Sequence, residues 1–192
     1  MISKYYVQLD QKDLARILNA LDRVKKSTYE WTYNEMPKRG ATKFLLLLKS
    51  NIISQRYSSL YNSLSPGYAE WKGELDKFWL LKGDFLRSLS AFRSNQSAGI
   101  LEFGGGQWMA GVPAGVRDSG GKSWFYPRSS DKQKKHGSRS IATYAYYGEF
   151  GHGGKNPQPA RPIFVPTLIE YEKDGWPKQG DDALKYIGRQ WR

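Results

Sequence analysis

The chain has 192 residues, with 30 Lys and Arg against 18 Asp and Glu for a formal charge of +12, and it contains no cysteine. This length suits a single domain spanning 1–192, able to hide roughly 70% of its unfolded surface. The missing cysteines exclude disulfides, thiolate nucleophiles and Cys-based zinc sites. An aromatic fraction of 15% argues against a wholly disordered chain. The charge surplus suits a polyanionic partner or an acidic protein surface and says nothing about fold.

The N-terminus, Met1-Ile2-Ser3-Lys4-Tyr5-Tyr6, has no basic head followed by an apolar run, so no signal peptide is expected. Tyr5, Val7 and Leu9 alternate with polar neighbours, which predicts a strand over 3–9. Asp10 then reads as a helix N-cap. Leu14, Ile17, Leu18, Leu21 and Val24 follow at helical spacing, giving a helix over about 11–27 that extends through Trp31 toward Met36. Pro37 and Gly40 are expected to break it. A second helix should begin near Thr42 and run to about Leu60, with Phe44, Leu47, Leu48 and Ile52 on one side. Its Phe44–Leu48 run is the longest apolar stretch, far below the ~20 residues of a membrane span, so no membrane partner is expected.

Ser65-Pro66-Gly67 reads as the start of a helix carrying Tyr68, Trp71, Leu75 and Phe78. After Gly83 a further helix is predicted over about 84–93. Ile100–Phe103 and Trp108–Val112 read as strands of a hairpin joined through Gly104-Gly105-Gly106. Residues 117–139 form a long basic loop, unusual inside a compact domain. Ile141–Phe150 reads as a helix ended by Gly151, and Pro157, Pro159 and Pro162 force an extended passage. Residues 163–165 read as a strand or as the start of a helix over 166–174. Gly175 and Pro177 should end that stretch, leaving a C-terminal helical extension over about 176–192. The order of elements indicates the α+β class: N-terminal helices on a small, mainly antiparallel sheet with a long loop insertion.

Catalytic chemistry is hard to find in this pattern. There are two histidines, His136 in the basic loop and His152 within Gly151-His152-Gly153-Gly154. A His-Gly-Gly sequence fits an oxyanion-hole loop, but the matching Gly-x-Ser-x-Gly elbow is missing, so His152 reads as a turn residue. No His-Glu-x-x-His, calcium-loop or phosphate-loop pattern occurs. Glu70, Glu74 and Asp76, and likewise Asp181 and Asp182, read as solvated helix faces rather than acid/base pairs. The expectation is no catalytic residue, no metal and no cofactor. The strongest electrostatic signal is the loop, where Lys122, Arg128, Lys132, Lys134, Lys135 and Arg139 are candidate polyanion-facing cations. They suit phosphate contacts that weaken with salt, and Trp124-Phe125-Tyr126 suits base stacking. The alternative is a solvated loop that orders against a neighbouring subunit.

Two stretches carry a resemblance. The first is Tyr68-Ala69-Glu70-Trp71-Lys72 followed by Leu81-Lys82-Gly83-Asp84-Phe85-Leu86-Arg87-Ser88-Leu89. The second is Tyr144-Ala145-Tyr146-Tyr147-Gly148-Glu149-Phe150-Gly151, then Pro159-Ala160-Arg161-Pro162-Ile163-Phe164-Val165-Pro166. In that order they resemble the virion-morphogenesis, or tail-completion and neck, proteins of tailed phages over about residues 65–175. The resemblance implies a non-enzymatic structural protein of the virion neck, built in the host cytoplasm as a homo-oligomeric, six-fold ring. Its expected partners are the head connector or portal adaptor on one side, the tail terminator or tail tube on the other, and DNA in the channel.

The candidate interface and motif positions are Tyr68, Trp71, Gly83, Leu86, Tyr144, Glu149, Phe150, Gly151, Pro159, Arg161, Pro162 and Phe164. Read physically, Gly83 permits a sharp turn. Tyr144, Tyr147 and Phe150 share a helix face, and Gly151 supplies a left-handed cap. Pro159 and Pro162 stiffen the chain around Arg161, which is expected to reach a carboxylate. The purified protein is expected to be monomeric or weakly associated. The competing reading is a sequence-independent nucleic-acid-binding protein.

Overall fold

The computed structural model describes residues 10–61, 78–79, 84–93, 101–103, 108–113, 115–117, 140–153 and 159–190. Helix α1 spans Gln11–Glu30 and starts where predicted, with the Asp10 carboxylate accepting from the Lys12 N–H at 3.3 Å. It does not stop at Pro37. A π-helical turn, Trp31–Glu35, carries the chain directly into α2, Met36–Ile53. In the widened turn the Met36 N–H donates to the Trp31 carbonyl. Pro37 therefore falls in the first turn of α2, where its missing N–H costs little. Gly40 is likewise helical, and the second helix begins six residues before Thr42 rather than at it. A turn with Gln55 at φ 54° and a short 3₁₀ segment, Ser58–Leu60, follow where α-helix was expected.

Helix α3 is short, Asp84–Ser88, and the chain then extends as β1, Ser90–Arg93, so the predicted helix over 84–93 is half strand. The reason is tertiary. β1 pairs antiparallel with β3, Trp108–Gly111, with Ser90 opposite Gly111 and Phe92 opposite Met109. The predicted hairpin strands are present, with β2, Leu101–Phe103, on the other edge of β3. The result is a three-stranded antiparallel sheet in the order β1-β3-β2. With the helices that surround it, this is an α+β fold.

Helix α4, Ile141–Phe150, has the predicted bounds, with Ser140 as N-cap. Before it, Arg117 bridges Ser140, and the Ile141 N–H donates to the Val116 carbonyl at 3.1 Å. The ends of the 117–139 segment are therefore fastened side by side.

Helix α5 corrects the C-terminal prediction. It runs unbroken from Phe164 to Gln190 with Pro177 inside it, so 176–192 is no separate extension and 163–165 is no strand. Packing overrides the helix breakers. At Gly175 an added Cβ would lie 2.3 Å from the Tyr171 ring, so glycine lets that ring lie flat along its own helix. Gln179, 2% exposed, donates its amide to the Tyr171 hydroxyl across the proline turn. The Tyr171 ring in turn meets Phe44 of α2 edge-on at 6.0 Å.

α2 is the central element. It contacts all three strands and also packs along α5. Ala41, Phe44, Leu48 and Ile52 are fully buried there. α3 and α4 close the core with Phe85, Ile141 and Ala145, and α5 adds Phe164. The Trp79 indole, on a residue with φ 64°, lies within 6.3 Å of Phe85, Tyr144 and Phe164. It also lies directly against Gly148, where an added Cβ would sit 2.0 Å from the ring tip. Because that tip is wedged among aromatic rings, it has no cheap way to move. Gly148→Ala should destabilise the protein by about 1–3 kcal/mol. Urea unfolding followed by Trp fluorescence checks this, and unchanged stability would contradict the packing described.

Candidate interaction surface

The second resemblance stretch folds into one unit at the junction of α4 and α5. α4 ends at Gly151, whose φ of 79° suits glycine. Its ψ of 175° makes this an extended turn and not the left-handed cap expected. Further along, the Arg161 N–H donates to the Gly148 carbonyl at 2.7 Å. Glu149, 3% exposed, turns inward rather than presenting its carboxylate to a partner. Its Oε2 accepts the Ile163 and Phe164 N–H groups at 2.7 and 3.0 Å, and its Oε1 accepts the Val165 N–H at 2.9 Å.

A helix start leaves four N–H groups without intrahelical partners. Here three go to Glu149, and the next residue is Pro166, which has none. The negative carboxylate also meets the positive end of the α5 dipole. Glu149 is therefore the remote cap of α5, supplied by a different element.

The surrounding prolines and aromatics fix this junction. The Tyr61 hydroxyl donates to the Pro162 carbonyl at 2.5 Å, and the Trp79 indole N–H donates to the Arg161 carbonyl at 3.2 Å. Burial first, and then the nearby Glu149 charge, hold the Tyr61 phenol well above its usual pKa. The Arg161 guanidinium lies over the Phe78 ring, 5.2 Å from its centroid. Phe164 is fully buried, and Leu86 and Tyr144 pack against the core. Pro159 is exposed and Pro162 half-buried. These placements make Glu149, Phe164, Leu86 and Tyr144 parts of the scaffold rather than of an exposed interface.

Phe150 differs. It is 60% exposed and so does not share the core face of Tyr144. The polypeptide turns at Gly151 and aims its ring outward, 5.0 Å from the exposed Tyr146. Val165 and Ile169, one turn apart on α5, are also exposed. This outward group is the aromatic ledge of the junction. Tyr68, Trp71 and Gly83 lie outside the described residues, as do Lys122, Arg128, Lys132, Lys134, Lys135 and Arg139.

A second polar cluster joins α2 to α5. The Asn51 amide donates to Thr167 Oγ1 at 3.2 Å and to Glu170 Oε2 at 3.0 Å. The Tyr57 hydroxyl donates to Glu170 Oε2 at 2.7 Å, and Arg56 pairs with Glu170 at 2.9 Å. Burial and the bond to Glu170 push the Tyr57 phenol up to about 12, and burial pushes Tyr171 up to about 12. These bonds satisfy one another, so the cluster is structural. His152 packs its ring against Tyr147 at 4.7 Å. Among the described residues no group of three or more His, Asp or Glu could hold a metal ion. Nor is any described helix long and apolar enough to cross a membrane.

A second exposed surface was legible as a pattern but not as a surface. Leu14, Ile17, Leu18 and Leu21 of α1 are 45%, 43%, 56% and 47% exposed, and no α1 side chain is buried. Ala20, Val24 and Ser27 of α1 are half-buried, and α1 also contacts α5. No family model, curated protein or solved structure matches this chain.

Glu149→Ala leaves three buried N–H groups without an acceptor and should cost about 3–5 kcal/mol, against a smaller loss for Glu149→Gln. Equilibrium urea unfolding of both variants tests this; a loss below ~1 kcal/mol for alanine would contradict the cap. The tyrosines predict a high-pH effect. Tyr57 and Tyr171 have folded pKa values near 12, above the ordinary 10. Their stabilisation is intact below pH 10 and is lost as pH rises from about 10 to 12. Thermal unfolding across that window should show Tm falling with tyrosinate formation, and a flat Tm would contradict it.

Proposed function

We propose that the protein is a non-catalytic structural component of a tailed-phage neck, assembled as a ring that joins the head connector to the tail. The observation that carries this reading is the junction of α4 and α5. The residues of the second resemblance stretch, far from forming a catalytic cleft, build a rigid scaffold around Glu149. That scaffold holds Phe150 and Tyr146 outward. Exposed aromatics on a rigid support suit protein–protein contact, because little side-chain freedom is lost on docking.

A head-to-tail contact repeated around a closed ring requires two unlike surfaces on each subunit. The aromatic ledge supplies one of them. The sequence 117–139 is basic, and the Arg117–Ser140 bridge brings its two ends together. In a ring its cations face either the DNA of the channel or acidic neighbours. The nucleic-acid-binding reading rests on the same cations and on the aromatic run Trp124-Phe125-Tyr126 among them.

Phe150→Glu tests the assembly reading, since it alters an exposed side chain and spares the Glu149 cap. In a phage complementation assay this variant should fold with wild-type stability yet leave heads and tails unjoined. Normal joining by Phe150→Glu would contradict the role of the ledge. In parallel, changing Lys132, Lys134 and Lys135 to Glu should leave joining intact if they meet solvent. If DNA binding is the function, the same change should abolish salt-dependent DNA affinity.

A further inference from the structure

We propose that the apolar stripe of α1 is a self-docking face, pairing antiparallel with the same stripe of a second copy of this chain. The stripe is Leu14, Ile17, Leu18 and Leu21, each close to half exposed. At 100° per residue the stripe is centred roughly 100° around the helix from the half-buried Ala20, Val24 and Ser27, with Ile17 and Val24 at its near edge only about 20° apart. The stripe therefore flanks the half-buried side of α1 and turns most of its width to solvent.

Its spacing is symmetric about the point between Ile17 and Leu18. In an antiparallel pair centred there, Leu14 falls opposite Leu21 of the second copy, and Ile17 falls opposite Leu18. All four side chains meet their counterparts. A two-fold contact requires this self-complementarity.

Charge selects the direction. Over residues 10–17 Asp10 and Asp13 balance Lys12 and Arg16, while over 18–26 Arg23, Lys25 and Lys26 outnumber Asp22. A parallel pair sets the cationic halves side by side. An antiparallel pair sets each cationic half against a neutral one, brings Lys25 opposite Asp10, and opposes the two helix dipoles. Asp13 and Asp22 also come opposite each other, but each already has a cation of its own helix, Arg16 and Lys26.

The size of the stripe sets the strength. Four half-exposed aliphatic side chains cover far less than the ~800 Å² per partner of a stable interface. The contact is therefore reversible and concentration-dependent. It is also independent of the ring reading, because a two-fold contact between identical faces does not close a ring. It fits a soluble form in which the stripe is covered until assembly.

The absence of cysteine makes the test clean. Sedimentation velocity on the full chain over a wide concentration range should show a monomer–dimer equilibrium. Ile17→Lys should weaken it by about 100-fold, since burying one such side chain contributes about tenfold and the change occurs on both copies. Leu14→Cys and Leu21→Cys are both exposed single-cysteine variants. Mixed under oxidising conditions, they should cross-link to each other far faster than Leu14→Cys cross-links to itself. A wild type that stays monomeric at all concentrations overturns the proposal, whether or not it sediments with anionic lipid vesicles. Cross-linking of Leu14→Cys to itself, with none to Leu21→Cys, overturns the antiparallel register. A confirmed dimer from a chain that fails to join heads to tails would leave this contact standing and remove the neck reading.

Discussion

The structure depends on one carboxylate. Glu149 leaves the end of α4 and takes the three N–H groups that open α5. A helix of this length brings four unsatisfied donors into a crowded junction, where leaving each one buried and unpaired costs about 1–3 kcal/mol. The sequence meets the demand with an acceptor for three and a proline in place of the fourth. Because the acceptor comes from another helix, the cap also fixes α4 against α5. Gly148 and Gly151 are the local conditions. The first admits the Trp79 ring, and the second lets the chain reverse.

From that joint the rest follows in layers. α5 lies along α2, α2 lies across the sheet, and the aromatic cluster of Trp79, Phe85, Tyr144 and Phe164 fills the space between α3, α4 and α5. Polar links then fix register. Asn51 and Tyr57 reach Thr167 and Glu170 near the start of α5, and Lys43 reaches Asp182 further along, at 3.2 Å. Two exposed apolar groups remain outside this framework: the ledge of Phe150 and Tyr146, and the α1 stripe.

Local signals in the sequence were legible where local physics decides. Asp10 caps α1, Ser140 caps α4, and Gly151 ends it, each by contacts within a few residues. Breakers misled where packing decides. Pro37 is tolerated because the π turn before it shifts the hydrogen-bond pattern, and Pro177 because Tyr171 and Gln179 hold α5 together across it. Over residues 84–93 the helical spacing of Phe85, Leu86, Leu89 and Phe92 points to helix throughout, and strand pairing with β3 overrides it at 90–93. The candidate site was half legible. Glu149, Phe150 and Gly151 stood out together as a motif. Nothing local distinguished the buried capping carboxylate from an exposed one, since its three donors lie 14–16 residues away. The α1 stripe carried the opposite problem, because a helical apolar pattern looks the same whether it faces a core or solvent.

The cap is tested most directly at its own donors. Amide hydrogen exchange resolves the N–H groups of Ile163, Phe164 and Val165, which in an uncapped first turn would exchange nearly as fast as exposed backbone. With Glu149 in place, their protection should match that of the buried core of α2, and it should collapse in Glu149→Ala while α2 stays protected. Fast exchange at all three positions in the wild-type protein would contradict the account.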